Sequence, residues 1–195
     1  MLNHLNMNKE NLTQHRFEEI MSFYIKDPKL STKIHLLCID KYVHHPDSIA
    51  FVEIEYEEDD EYEIKSADVV VLNHPDTVEE YFRQGETSKQ KVSENNNSLP
   101  FVLEDEEQLL DWLLSEEISH VLLASKRNKE ETIKRIFPDY IESDGDTHED
   151  FPIEILVSRL VLLYFINKYP DRREEVLSLL KESIRTKKAI QPYVN

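Results

Sequence analysis

Glycine is almost absent from this chain: among its 195 residues only Gly85 and Gly145 are glycine. Globular proteins average about 7% glycine. Most phosphate- and dinucleotide-binding loops need several closely spaced glycines, because bare backbone must approach the ligand or adopt a positive φ. Two glycines this far apart cannot build a P-loop, a dinucleotide-binding turn or a nucleophile elbow. The sequence therefore excludes the usual signatures of NTPases, kinases, dinucleotide-dependent dehydrogenases and α/β-hydrolases.

The charge balance is strongly acidic. The chain has 40 Asp and Glu against 23 Lys and Arg, a formal net charge of −17 at pH 7, and its 8 Phe and 9 Tyr favour a folded core. Charge of this sign repels nucleic-acid phosphates and anionic lipid surfaces at long range. We therefore expect no direct nucleic-acid binding and no membrane binding. Two interpretations of the acidity stay open: binding of a basic protein partner, or solubility alone.

Cysteine usage and the N-terminus bear on the compartment. Cys38 is the only cysteine, which excludes an internal disulfide and a cysteine-based zinc site and fits a reducing cytosol. The first residues lack the basic start and apolar run of a signal peptide. The most apolar stretch, 153–166, is shorter than the ~20 residues of a membrane span and contains Arg159. We expect a cytoplasmic protein without a cofactor.

Hydrophobic periodicity predicts a mixed α+β fold. An N-terminal helix and a small antiparallel sheet are followed by a helix–strand–helix unit and a C-terminal helical hairpin. The predicted ranges are a helix at 10–26, a β-type run at 33–43, a hairpin at 49–72, a helix–strand–helix unit at 105–137 with its strand at 118–124, and a helical hairpin at 152–188. Polar residues 85–98 suggest a linker or mobile loop. It would separate an antiparallel α+β lobe (1–84) from a mainly helical lobe (99–195), unless the chain is one continuous domain.

The predicted hairpin has a strongly acidic outer face. Apolar residues alternate with glutamates along its first strand, as in a half-buried strand. If the turn centres on Asp59, Glu55 lies opposite Glu63 and Glu53 lies opposite Lys65. The binding residues predicted on this face are Glu53, Glu55, Glu57, Glu58, Asp59, Asp60, Glu61 and Glu63. Acid clusters steer association with basic sites. This favours a non-catalytic binding or regulatory protein, physically similar to immunity proteins, enzyme inhibitors and DNA-mimicking phage proteins.

A second hypothesis comes from a short motif. Pro46-Asp47, followed by Glu63-Ile64-Lys65, resembles the PD-(D/E)xK pattern of restriction-type nucleases over about twenty residues. In that family an acid pair binds a divalent metal, and the lysine helps to activate water. The resemblance implies a metal-dependent phosphodiesterase with Asp47, Glu63 and Lys65 as catalytic residues and Asp47, Glu55 and Glu63 as metal ligands. Solvent exposure alone also produces alternating Glu and Lys on an outer face.

Overall fold

The computed structural model describes residues 9–39, 50–58, 60–72, 106–136 and 152–174. Helices and one small sheet make up these residues, and the predicted α+β class is confirmed. The elements are α1 (Lys9–Tyr24), α2 (Pro28–Ser31), β1 (Ile34–Ile39), β2 (Ala50–Glu57), β3 (Asp60–Leu72), α3 (Glu106–Ala124), α4 (Lys126–Ile136), α5 (Pro152–Lys168) and a 3-10 turn (Pro170–Arg172). The short helix α2 begins where the Asp27 side chain accepts a hydrogen bond from the Lys29 amide.

The sheet has three strands in the order β1-β3-β2. β2 and β3 pair antiparallel, which confirms the hairpin predicted at 49–72. β1 pairs with β3 in parallel, with Ile34 beside Ala67, and so adds a third strand to the predicted antiparallel hairpin. The side chains of β1 alternate between the two faces of the strand, and this explains why β1 joins the sheet. The residues of β1 that face the core pair with the buried Ala67, Val69 and Val71 of β3, so β1 extends the apolar face of the sheet.

α3 runs through residues 118–124, where the sequence predicts a strand, and that prediction is wrong. The helix has 19 residues and contains neither glycine nor proline, so nothing in it forces an end before Ala124. Ile118, Val121 and Leu122 are buried at the three- and four-residue spacing of a helix. A short apolar run fits a covered strand as well as a buried helix. The predicted helix–strand–helix unit is therefore two successive helices, α3 and α4.

One hydrophobic core joins the sheet to the helices. α3 contacts β2, β3, α1 and α5. Large side chains with almost no exposed surface are Ile20, Tyr24, Val69, Leu109, Leu114, Leu160 and Phe165. These residues come from both the N-terminal and the C-terminal parts of the chain. Residues 85–98 and 175–188 lie outside the described ranges, so the linker and the second helix of the C-terminal hairpin stay predictions.

α1 and α5 run antiparallel across this core. The Phe23 ring stands edge-on to Tyr164, with the ring centroids 5.2 Å apart. One helical turn away, Lys168 donates a hydrogen bond to Glu19. Because these two contacts are one turn apart on both helices, the end of α5 lies beside the second half of α1. Polar residues of the two helices therefore meet there. Within the described ranges, no helix is long and apolar enough to cross a membrane.

Candidate functional site

A β-bulge at Lys65 determines which hairpin side chains share the outer face. Glu55 pairs with Ser66, while the next residue, Tyr56, pairs with Ile64. Lys65 is therefore the extra residue on β3. A bulge places two residues of one strand against one of its neighbour and resets the inward–outward alternation. The outer face consequently takes both Lys65 and Ser66, while Ile64 is buried.

The bulge changes the cross-strand pairs of the acidic face. Glu53 lies opposite Asp68 and not opposite Lys65, and Glu63 is not the partner of Glu55. The predicted register is wrong because it assumes unbroken alternation from a turn centred between two regular strands. Glu53 and Asp68 thus face each other, whereas the sequence analysis placed Lys65 opposite Glu53. Two like charges at this position make the outer face more negative than the predicted pair would.

Glu55 accepts hydrogen bonds from both bulge residues. Lys65 Nζ lies 2.7 Å from Glu55 Oε1, and Ser66 Oγ lies 3.2 Å from Oε2. The hydrogen bond from Lys65 and its positive charge lower the pKa of Glu55, and the same contact raises the pKa of Lys65. Both side chains are exposed, so water screens the pair and its contribution to folding is small.

Lys33, just before β1, supplies the second positive charge near this face. Its Nζ donates to the carbonyl oxygen of Ile64 at 2.6 Å and lies 3.3 Å from Glu63 Oε1. Glu57 Oε1 is farther away, at 4.0 Å. Lys33 therefore lies within ion-pair distance of two carboxylates, those of Glu57 and Glu63, and its hydrogen bond to the backbone of β3 fixes its position.

The face stays acidic after these pairs are counted. Residues 50–58 and 63–71 include six acids and one lysine. Glu53, Glu55, Glu57, Glu58 and Glu63 are all exposed. Of the other predicted binding residues, Asp60 and Glu61 belong to β3, and Asp59 lies outside the described residues. The carboxylates of residues 50–58 and 63–71, together with Lys33 and Lys65, are called the acidic face below.

The residues of the nuclease-like motif are only partly described. Glu63 and Lys65 are exposed on β3, where Glu63 contacts Lys33 and Lys65 contacts Glu55. Asp47 lies outside the described residues. Within the described part of the chain, no group of three or more His, Cys, Asp or Glu side chains is arranged to hold a metal ion. The catalytic and metal-ligating sets therefore stay predictions.

A second polar cluster, which the sequence analysis missed, lies between the helices. It is called the polar joint, and its members are Arg16, Glu19, Glu107, Asp111, Tyr164, Lys168 and Tyr169. Three carboxylates converge on the Arg16 guanidinium. Glu19 Oε2 lies 3.3 Å from Nη1, Glu107 accepts from Nη2, and Asp111 Oδ1 lies 3.7 Å from Nε. The joint thus links α1 to α3 by charge.

Asp111 is the most buried acid of the polar joint, with no exposed surface. The Tyr169 hydroxyl donates to its Oδ2 at 2.5 Å. Burial raises the pKa of Asp111, although the Tyr169 hydrogen bond and the Arg16 charge partly oppose this. Glu19 behaves differently: burial raises its pKa, but the Lys168 hydrogen bond and charge, helped by Arg16, bring that pKa below its usual value. The pKa of Asp111 is therefore raised, whereas the pKa of Glu19 is lowered.

The sequence contains a signal for this cluster. Arg16 and Glu19 continue the helical stripe that Leu12 and Phe23 mark on α1. Asp111 likewise interrupts a run of Leu and Trp residues in α3. A charged residue on an apolar face must find a partner when the face is buried. What the sequence does not give is which helices meet there.

Comparisons with known proteins add no relative. No protein-family model matches this chain. No curated protein and no solved structure gives a significant match either.

Proposed function

We propose that this protein is a non-catalytic binding or regulatory protein, of the inhibitor, immunity or adaptor type, and that its acidic face binds a basic protein partner. The observation that supports this is the excess of exposed carboxylates on one side of the sheet. Among the described residues, Lys33 and Lys65 oppose them, and both contact glutamates at the same end of the hairpin. A cytoplasmic location is part of the proposal, in keeping with Cys38 as the sole cysteine.

The strand geometry suits recognition of a row of positive charges. Alternate residues of a strand lie roughly 7 Å apart on one face. Glu53 and Glu55 follow this spacing on β2, and Asp68 extends the row sideways onto β3. A patch of one sign accelerates encounter with a partner of opposite sign, and it rejects nucleic acid and other anions. A basic protein surface is therefore the partner class that the charges favour.

Neutralising part of the face tests the proposal. The variant Glu53→Gln/Glu57→Gln/Glu58→Gln removes three negative charges without touching the buried core. The immobilised wild-type protein is used to capture a partner from a lysate of the native host, and binding of the purified partner is then measured by calorimetry at several salt concentrations. We expect the triple variant to bind at least tenfold more weakly at low salt, with a shallower salt dependence.

A matched control separates the site from total charge. Glu18 in α1, Glu130 in α4 and Glu174, just after the 3-10 turn, are exposed acids outside the acidic face, and changing all three to Gln gives the same net charge. The proposal predicts that this control variant keeps wild-type affinity. Equal weakening of both triple variants, or no weakening of either, would contradict a role for the acidic face.

Metal titration distinguishes this proposal from the nuclease hypothesis. A metal-dependent phosphodiesterase should bind magnesium or manganese, and Glu63→Ala should abolish that binding. Under the present proposal, calorimetry with either ion at millimolar concentration gives no heat of specific binding. Saturable binding that Glu63→Ala removes would favour the enzyme.

A further inference from the structure

Three buried polar atoms of the polar joint have no hydrogen-bond partner among the described residues. They are Arg16 Nε, Asp111 Oδ1 and Tyr164 Oη. Buried polar atoms are nearly always hydrogen-bonded, either to protein or to ordered water. Three exceptions within one cluster therefore need a common explanation.

The first two atoms face each other across a gap. Arg16 Nε and Asp111 Oδ1 lie 3.7 Å apart, beyond the 2.7–3.2 Å of a typical N–H···O bond. Both groups are held by other contacts. The two Nη atoms of Arg16 contact Glu19 and Glu107, and Asp111 Oδ2 accepts from Tyr169. A polar contact longer than about 3.5 Å raises the question of a bridging water, which here would lie beside the line joining the two atoms.

Tyr164 supplies the third atom. Its side chain is only 3% exposed, and its ring is packed against Phe23 and Tyr24. Burial raises the pKa of Tyr164, and the negative charges of Asp111 and Glu19 raise it further. Tyr164 precedes Lys168 by one helical turn, and its ring partner Phe23 follows Glu19 by one turn, so Tyr164 lies next to the Glu19–Lys168 contact of the polar joint. The Tyr164 hydroxyl thus meets the same region as the other two atoms.

We propose that the polar joint contains a binding site for one buried water molecule, held by Arg16 Nε, Asp111 Oδ1 and Tyr164 Oη. The water accepts from the Arg16 N–H and donates to the Asp111 carboxylate. Its third hydrogen bond is with the Tyr164 hydroxyl. Buried waters typically make about three such bonds to otherwise unsatisfied groups. The water would then connect α1, α3 and α5 through these three polar atoms.

A crystal structure of the wild-type protein at about 1.5 Å resolution tests the site directly. We expect a solvent peak within 3.2 Å of both Arg16 Nε and Asp111 Oδ1 and within hydrogen-bond reach of Tyr164 Oη. Direct contact between Arg16 Nε and Asp111 Oδ1, with no solvent peak, would overturn the proposal.

Tyr164→Phe tests the site in solution. If the hydroxyl bonds a water, its loss lowers the folding equilibrium constant about fivefold, which corresponds to about 1 kcal/mol for one hydrogen bond. The midpoint of thermal unfolding should fall by about 2–4 °C. If the hydroxyl is unsatisfied, its removal leaves that midpoint unchanged or raises it, because a buried polar group without a partner is itself destabilising. Tyr24→Phe is the matched control, because the Tyr24 hydroxyl bonds protein groups and its loss should be destabilising in either case.

Discussion

The Tyr24 hydroxyl offers a sharp test of how the helices are held together. Tyr24 is 1% exposed, and its hydroxyl donates to the Leu160 carbonyl oxygen of α5 at 2.7 Å. It also lies 2.6 Å from Ser115 Oγ of α3. A phenol has one proton, so the serine hydroxyl must be the donor in the second bond. One oxygen of α1 therefore joins two other helices.

Tyr24→Phe removes this oxygen and keeps the ring. The ring stays in place because its edge-on contact with Phe23, at 5.1 Å between centroids, does not involve the hydroxyl. Two neutral hydrogen bonds contribute about 1 kcal/mol each, so the free energy of unfolding should fall by about 2 kcal/mol. For a chain of this size the midpoint of thermal unfolding should fall by about 4–8 °C.

Urea unfolding followed by circular dichroism gives the free energy, and calorimetry gives the thermal midpoint. Tyr56→Phe is the control, because Tyr56 is 38% exposed and lies outside the buried core. The control should change stability by less than about 0.5 kcal/mol. A double-mutant cycle with Ser115→Ala should give a coupling energy near 1 kcal/mol. A loss below about 0.5 kcal/mol in Tyr24→Phe would refute the assignment of these two bonds.

Three further predictions concern charge and packing. Burial raises the pKa of Asp111, so its stabilising effect is complete below its unfolded-state pKa of about 3.9 and is lost as pH rises through the folded-state pKa. Relative to Asp111→Asn, the wild-type protein should thus gain stability in urea unfolding as pH falls from 7 toward 4; a difference independent of pH would contradict this. Leu114→Ala, at a fully buried core position, should lower the free energy of unfolding by about 2–5 kcal/mol, and a loss under 1 kcal/mol would argue against the packing of α3. Lys65→Gln should change stability by less than about 0.5 kcal/mol but raise the pKa of Glu55 in an NMR titration, and an unchanged pKa would exclude their contact in solution.

Local patterns predicted the parts of the fold that depend on neighbouring residues. The helix expected at 10–26 is α1, Lys9–Tyr24, and ends just before Asp27-Pro28. The hairpin at 49–72 followed from alternating side chains and a short acidic turn. Both elements are determined by residues close together in the chain, so periodicity and turn chemistry are sufficient.

The features that the sequence did not predict are those that distant residues decide. The parallel pairing of β1 with β3 joins segments that no local pattern connects. The bulge at Lys65 shifts the register without any glycine to mark it. The polar joint depends on which helices meet, so Asp111 in its apolar run gave a signal without a partner. For the site, the sequence identified the exposed acids of the hairpin but paired them incorrectly.

The central position of β3 has a consequence for the order of folding. β2 and β3 are joined by a short turn, so closing the hairpin fixes few residues and restricts the chain little. β1 must find β3 from much farther along the sequence, with Ile34 beside Ala67. Such non-local pairing is slow because the intervening chain has to be ordered first. We therefore expect the hairpin to form before β1 joins it, and a change that weakens the connection between β2 and β3 should delay formation of the entire sheet.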